Sequence, residues 1–117
     1  MILGIGIDIV SNSRFEGKSR GFLEKLFTER ELEAAVAHPS LNEYYASRFA
    51  AKEAFVKALG TGFRNIAPAD IEIYEDELGK PYIRVLKALG FDGTVHLSIS
   101  HERDSSIAMV VIEDGKK

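Results

Sequence analysis

The chain begins with a β-strand pattern in which one face carries almost no side chains. Isoleucine occupies positions 5, 7 and 9, and these side chains share one face because successive residues of a strand point to opposite sides. The other face holds Gly4, Gly6 and Asp8. Glycines within a strand are typical of a place where a ligand or another backbone comes close. We therefore expect Asp8 either to face a ligand or, in a bulged or tightly packed strand, to cap the next helix.

The next part of the chain predicts three helix starts. The polar residues 11–13 offer an N-cap for a short helix from about Arg14. Two further pairs, Thr28 with Glu31 and Ser40 with Glu43, have the spacing of a capping box.

The longest helix should run from about Leu41 to Leu59 and end at Gly60. At 100° per residue it has two apolar faces separated by Arg48 and Lys52. One comprises Tyr44, Ala51, Phe55, Ala58 and Leu59, and the other comprises Tyr45, Phe49 and Val56. We expect the first face to pack on the protein's own sheet and the second to lie against another subunit. The alternative is a monomer whose loops cover the second face.

The second half of the chain has the patterns of strands. Residues 71–75 and 81–85 flank a turn and predict a hairpin, and residues 95–100 alternate between apolar and polar side chains. The continuous apolar run at 107–112 predicts a central strand buried on both faces. We therefore predict one α+β domain over residues 1–117, with helices mainly in the first half, antiparallel strands in the second, and the long helix packed on the sheet.

Composition narrows the classes of function. The chain contains no cysteine, so disulfides and thiolate metal sites are excluded. It has neither a basic-plus-apolar leader nor a long apolar span, which predicts a cytoplasmic protein that does not enter the membrane. The net charge of −3 does not indicate non-specific binding to nucleic acid.

The charge is distributed unevenly. Five basic residues outnumber the acidic residues between positions 14 and 30. They are Arg14, Lys18, Arg20, Lys25 and Arg30. This stretch is either a local basic surface for an acidic partner or a solvated helix face.

The candidate chemistry is that of a phosphate-handling site. A Mg²⁺ ion that carries substrate phosphates needs only one or two protein carboxylates, and Asp8 and Glu53 are the acids whose surroundings suggest this role. Lys57 follows Glu53 by four residues, so the two share a helix face. From their spacing alone, a weak surface ion pair is the more common interpretation. A dinucleotide fingerprint is excluded because position 9 is Ile where a third glycine is required.

Three segments in the right order resemble the holo-acyl carrier protein synthases, the small bacterial class of phosphopantetheinyl transferases. The match runs across nearly the whole chain, and the central segment is the most specific. The segments are Gly4-Ile5-Gly6-Ile7-Asp8 followed by Arg14; Arg48-Phe49-Ala50-Ala51-Lys52-Glu53-Ala54 followed by Lys57 and Gly60-Thr61-Gly62; and Leu97-Ser98-Ile99-Ser100-His101. Position 49 is Phe where many relatives have Trp, which keeps an aromatic side chain.

The resemblance implies a reaction, a cofactor and partners. The phosphopantetheine arm of coenzyme A would be transferred to a serine of apo acyl carrier protein, with Mg²⁺, releasing adenosine 3′,5′-bisphosphate for fatty acid biosynthesis. The family also implies a homotrimer whose sites are shared between neighbouring chains.

The resemblance assigns residues to each part of the site. Asp8 and Glu53 match the magnesium ligands, and together with Lys57, which lies near the reacting phosphate, they form the implied catalytic set. The residues matched to coenzyme A binding are Arg48, Lys57, Gly60 and His101, and those matched to carrier-protein binding are Arg14, Lys18 and Arg20.

Several alternatives stay open. Lys57 could act as an electrostatic stabiliser or as a proton donor to the leaving group. The general base could be Glu53 or a metal-bound water, and Mn²⁺ could replace Mg²⁺. The rival functions are a metal-dependent nucleotide phosphohydrolase, in which the same acids orient water, and a non-catalytic oligomeric module, in which Glu53 pairs with Lys57 and Asp8 caps a helix.

Overall fold

A computed structural model describes residues 1–88 and 92–115, and it confirms the α+β class. The strands are β1 (Ile2–Ser11), β2 (Ile71–Glu75), β3 (Pro81–Val85), β4 (Gly93–His101) and β5 (Ser105–Asp114). The helices are α1 (Arg20–Leu26), α2 (Glu29–Val36) and α3 (Leu41–Leu59). Within the described ranges, no helix is both long and apolar enough to span a bilayer.

The strands form two antiparallel sheets. One has the order β1-β5-β4, and the other is the predicted β2–β3 hairpin. The apolar run at the end of the chain is central, as predicted, but the prediction that it is buried on both faces is wrong. Ala108, Val110 and Ile112 are buried on the inner face, whereas Met109 on the outer face is 45% exposed. The long helix α3 covers only one face of this three-stranded sheet, so the other face stays exposed.

The glycines of β1 allow α3 to approach the strand very closely. A Cβ atom on Gly4 would lie 1.9 Å from the carbonyl oxygen of Ala58, and one on Gly6 would lie 1.9 Å from that of Ala54. Any larger residue would therefore collide with helix backbone. The strand glycines indicated that a ligand or another backbone comes close, and the structure shows that this is the backbone of α3.

The second apolar face of α3 is covered by the same chain. Tyr45, Phe49 and Val56 are all buried. The ring of Phe15 lies 5.8 Å from that of Phe49, and the ring of Phe27 lies 4.9 Å from that of Tyr45. The prediction that this face lies against another subunit is therefore wrong, because the segment between β1 and α2 folds over it.

The exposed apolar surface lies instead on the outer face of the large sheet. Ile5, Ile7 and Ile9 are each more than half exposed, and Met109 of β5 lies opposite Ile7. Together these side chains form the outer sheet face. A contiguous exposed apolar patch of this kind is typical of an interaction surface.

The predicted helix from about Arg14 is wrong. Residues Asn12–Phe15 form a single 3-10 turn, and α1 begins only at Arg20 with Ser19 as its N-cap. Gly17 has a φ of +69°, a left-handed conformation that interrupts a helix. Arg14 therefore lies in the turn that follows β1.

The bounds of α3 are confirmed. Its N-cap is Ser40, and its C-cap Gly60 has a φ of 81° and donates its N–H to Val56 and Lys57 carbonyls. The capping box of α2 is also confirmed, because Thr28 and Glu31 exchange both hydrogen bonds.

A lysine is buried in the core beside α3. Lys52 Nζ donates to Glu31 Oε1 at 2.6 Å and to the carbonyl oxygens of Leu26 at 2.7 Å and Pro68 at 3.0 Å. The other oxygen of Glu31 accepts the N–H of Ile73. Burial lowers the pKa of Lys52, and the adjacent Glu31 carboxylate opposes that shift. This network joins α2, α3 and β2.

Candidate active site

Asp8 and Lys57 meet where β1 crosses α3. Lys57 Nζ donates to Asp8 Oδ1 and to the Ile7 carbonyl oxygen, both at 3.0 Å. Asp8 therefore does not cap a helix, and its side chain is only 12% exposed. These residues line a cavity of about 230 Å³. Lys57 forms its ion pair with Asp8 across the fold, although the helix spacing favoured Glu53.

Glu53 belongs to the same cluster. Burial raises the pKa of its carboxyl group, and the negative charge of Asp8 raises it further, while Arg14 and Lys57 oppose the shift. The nearest cation is Arg14, whose Nη1 lies 3.9 Å from Glu53 Oε1. Folding has thus brought two carboxylates from distant parts of the sequence within electrostatic range of each other.

The donor set of this cluster fits Mg²⁺ that arrives with a phosphate ligand. Within residues 1–88 and 92–115, no three acidic, histidine or cysteine residues are grouped so as to hold a metal by themselves. Asp8 and Glu53 supply two carboxylates, which is the usual number for Mg²⁺ that also binds substrate phosphates and water. They are the residues that would hold the ion.

Arg48 and His101 line a second cavity, of about 200 Å³. Arg48 is buried and pairs with Glu75 at 3.1 Å, while His101 Nδ1 lies 3.1 Å from Glu43 Oε2. The Arg48 guanidinium lies 4.3 Å from the centre of the Tyr44 ring, and its buried Nε has no hydrogen-bond partner in the described structure. Burial raises the pKa of Tyr44 to about 12, although Arg48 partly opposes the shift. This cavity therefore offers the guanidinium of Arg48 and the imidazole of His101, with Glu43 and Glu75 beside them.

The two cavities lie at opposite edges of the large sheet. Asp8 on β1 is in register with Ala108 on β5, and Ala108 is in register with Ile99 on β4. His101 lies two residues beyond Ile99 on β4 and therefore on the same inner face. With about 4.8 Å between adjacent strands, the two edges are roughly 10 Å apart. The residues lining one cavity do not line the other. Within one chain, the residues of the predicted site are therefore divided between two cavities.

Gly60 lies outside both cavities. Its positive φ ends α3, which is a structural role that any left-handed C-cap glycine performs. Its predicted contact with coenzyme A stays a prediction.

The predicted carrier-binding residues lie on the 3-10 turn, the segment after it and α1. Arg14 lies 5.0 Å from the centre of the Phe49 ring as well as beside Glu53. Lys18 is exposed, and Arg20 pairs with Glu24 and Glu29. These two glutamates partly neutralise the positive charge of Arg20.

Two acidic residues in the second cavity were not among the sequence-based candidates. Glu43 has the spacing of a helix cap, so its pattern indicates a structural role. Glu75 ends an ordinary strand, and no local pattern distinguishes it. Only the packing of the hairpin against α3 places Glu75 beside Arg48.

Comparison with known proteins identifies the class. The family model for the 4′-phosphopantetheinyl transferase superfamily matches residues 4–111. The holo-[acyl-carrier-protein] synthase of Geobacillus kaustophilus is 51% identical over 97% of this chain and 90% of its own length. That of Halothermothrix orenii is 47% identical over 98% of this chain and its whole length.

Solved structures agree with this result. A holo-(acyl-carrier-protein) synthase from Bacillus anthracis in complex with CoA (3′,5′-ADP) superposes with a TM-score of 0.88 at 42% identity, covering 98% of this chain and 99% of that one. The synthase from Neisseria meningitidis also gives 0.88, at 40% identity over 97% of this chain and all of that one. The chain therefore belongs to the holo-acyl carrier protein synthase family of phosphopantetheinyl transferases and is an enzyme.

Proposed function

We propose that this enzyme transfers the phosphopantetheine arm of coenzyme A to a serine of apo acyl carrier protein in the cytoplasm, with Mg²⁺ as cofactor. The products are holo carrier protein, for fatty acid biosynthesis, and adenosine 3′,5′-bisphosphate. The observation that carries the proposal is the cluster of Asp8, Glu53 and Lys57, which folding assembles beside a cavity.

The residues of the cluster match what the reaction requires. An attack by a serine oxygen on a pyrophosphate phosphorus depends on charge neutralisation and in-line positioning. When bound, Mg²⁺ would supply charge neutralisation at the phosphate oxygens. Asp8 and Glu53 are the residues that would hold the ion. Lys57 Nζ, which is half exposed beside Asp8, stabilises negative charge on the attacked or leaving phosphate.

Assembly of several chains would unite the two cavities. We propose a homotrimer in which the outer sheet face is buried between copies. The exposed isoleucines of β1 support this assignment, because burying apolar surface drives association. The separation of Asp8 from Arg48 and His101 within one chain supports a site shared between neighbours. In the shared site, Arg48 and His101 bind the nucleotide part of coenzyme A.

The basic turn after β1 is proposed to receive the acidic carrier protein. Arg14 Nη1 lies 3.9 Å from Glu53 Oε1. A carrier protein docked on this turn would therefore be next to the cluster of Asp8, Glu53 and Lys57. We expect Arg14 and Lys18 to contribute more than Arg20, because two glutamates already engage Arg20.

Salt dependence tests the carrier surface. Because exposed charges are screened by salt, the KM for carrier protein should rise several-fold between about 0.05 M and about 0.3 M ionic strength, with little change in kcat. Steady-state kinetics measure both constants. A KM that does not respond to salt contradicts the electrostatic account.

Mass spectrometry of the carrier protein tests the function. The protein is incubated with coenzyme A, Mg²⁺ and apo carrier protein, and the carrier should gain the mass of one phosphopantetheine. Cleavage of coenzyme A at the same rate without carrier would indicate the phosphohydrolase. An unchanged carrier and intact coenzyme A would indicate a non-catalytic module.

A further inference from the structure

Two helix starts in this chain share a capping-box spacing but use it differently. At α2 the box is complete: Thr28 Oγ1 accepts from the Glu31 N–H, and Glu31 Oε1 accepts from the Thr28 N–H at 2.9 Å. At α3 only half is made. Ser40 Oγ accepts from the Glu43 N–H, but the Glu43 carboxylate does not return to the Ser40 N–H. His38 Nδ1 lies in that place instead, 3.2 Å from the Ser40 nitrogen and 2.9 Å from the Ser40 carbonyl oxygen.

The Glu43 carboxylate is used across the fold instead. Its Oε2 lies 3.1 Å from His101 Nδ1, and its Oε1 lies 3.8 Å from His38 Nε2. The Glu43 side chain is 21% exposed, whereas that of His101 is 52% exposed. A residue that does not follow its local structural pattern often has a functional role.

The contact with Glu43 determines which nitrogen of His101 is available to a ligand. The Glu43 carboxylate lies 3.1 Å from Nδ1, so this ion pair orients the ring and leaves Nε2 as the nitrogen outside that contact. Arg48 lines the same cavity and carries a buried Nε without a partner in the described structure. The cavity therefore has two nitrogen donors suited to an anion.

We propose that Glu43 is a positioning residue, which orients His101 so that Nε2 binds a phosphate of coenzyme A. This inference rests on the proposed function. Glu43 itself does not touch the substrate. A carboxylate behind an imidazole fixes the ring orientation and the position of its proton, and so prepares the other nitrogen for a hydrogen bond to an anion.

Under the proposed function, the phosphate that His101 meets is the one on the ribose. Coenzyme A carries a pyrophosphate and, separately, a 3′-phosphate. The pyrophosphate belongs with Asp8 and Lys57, whose cavity shares no lining residue with that of His101 and Glu43. Glu43 is thus assigned an indirect role in selecting substrates that carry the 3′-phosphate.

Steady-state kinetics of Glu43→Gln test this role. The substitution keeps the size of the side chain and the Ser40 cap but removes the charge. The KM for coenzyme A should rise about tenfold, which corresponds to one charge-assisted hydrogen bond, while kcat changes less than about twofold. The matched control Glu33→Gln, on an exposed position of α2, should leave both constants unchanged.

The substrate lacking the 3′-phosphate separates positioning from a general structural effect. With 3′-dephospho-coenzyme A, the wild-type enzyme and Glu43→Gln should have the same KM. The double variant Glu43→Gln/His101→Ala should be no worse than His101→Ala alone, because Glu43 acts only through that ring. Glu43→Asp, which withdraws the carboxylate by one methylene, should shift KM in the same direction as Glu43→Gln.

Calorimetric binding of adenosine 3′,5′-bisphosphate supplies a measurement that does not depend on turnover. Its Kd should rise about tenfold in Glu43→Gln, whereas that of adenosine 5′-monophosphate should stay the same. An unchanged Kd for the bisphosphate, or equal losses for both nucleotides, would overturn the positioning role. Failure of the proposed function is a different result, in which the wild-type enzyme adds no mass to the carrier.

Discussion

At the scale of single residues, charge and burial assign different tasks to two lysines of the same helix. Lys57 is half exposed and reaches Asp8, whereas Lys52 is fully buried and satisfied by Glu31 and two backbone carbonyls. A buried ammonium is tolerated only when it is paired and hydrogen-bonded. Lys52 is therefore held inside the fold, whereas Lys57 lies at the surface beside Asp8.

Substitution of the two acids tests the catalytic cluster. In Asp8→Asn and Glu53→Gln, turnover should fall at least about 100-fold, because each variant loses a charge that would hold Mg²⁺. Thermal melts should show that both variants fold but gain less stability from Mg²⁺ with coenzyme A than the wild type does. Glu77→Gln, in the exposed hairpin turn, is the control. Near-normal turnover in either acid variant would contradict the assignment.

Substitution of Lys52 tests the buried pair. Lys52→Met should lower the free energy of unfolding by about 3 kcal/mol or more, because the Glu31 carboxylate is left buried without its partner. The double variant Lys52→Met/Glu31→Gln should recover part of this loss, since no unpaired charge remains. Urea denaturation measures both values. If Lys52→Met were as stable as the wild type, the ion pair would make no net contribution.

At the scale of elements, the placement of Asp8 depends on how closely β1 and α3 pack. Gly4 and Gly6 let the strand lie directly on the helix backbone, and Asp8 follows on the same face of β1. Lys57 on α3 then reaches both Asp8 and the β1 backbone. The glycines set the distance between the two elements that carry the cluster.

The variant Gly6→Ala tests this contact. Its Cβ would lie 1.9 Å from the Ala54 carbonyl oxygen, so the strand must move away from the helix at a cost of about 3 kcal/mol. Gly21→Ala is the matched control, because nothing lies within 4 Å of its Cβ and alanine favours α1. Urea unfolding should show a loss for the first variant and no loss for the second. Equal stability of the two would show that β1 tolerates a side chain there.

At the scale of the whole molecule, the outer sheet face and the divided site point to the same conclusion. The chain buries both apolar faces of its long helix but leaves the isoleucines of β1 exposed. It also leaves Arg48 and His101 apart from Asp8. The proposed association through the outer sheet face would account for both observations.

The variant Ile7→Glu tests this association. A charge in the centre of the outer sheet face should weaken self-association at least about tenfold, and sedimentation should show material of about 12.9 kDa. Activity should fall with assembly, because the two cavities would no longer meet. Leu78→Glu is the control, since Leu78 is 95% exposed at the hairpin turn. A variant that stays assembled would place the interface elsewhere.

Local patterns in the sequence were sufficient to determine most elements of this protein. Hydrophobic periodicity, the Thr28–Glu31 box and the glycine at position 60 predicted α2, α3, the hairpin and the central strand, because these signals arise between residues a few positions apart. The same signals failed at Arg14, where Gly17 interrupts the expected helix. The ordered motifs also identified the family.

Only the tertiary structure decided which residues act together. The sequence pairs Glu53 with Lys57 and makes Glu43 a helix cap, whereas the fold pairs Lys57 with Asp8 and turns Glu43 toward His101. The fold also buries the second apolar face of α3 and leaves the isoleucines of the outer sheet face exposed. The physical reason is that helical spacing describes neighbours along one element, while ion pairs and burial depend on the packing of elements that are distant in the chain.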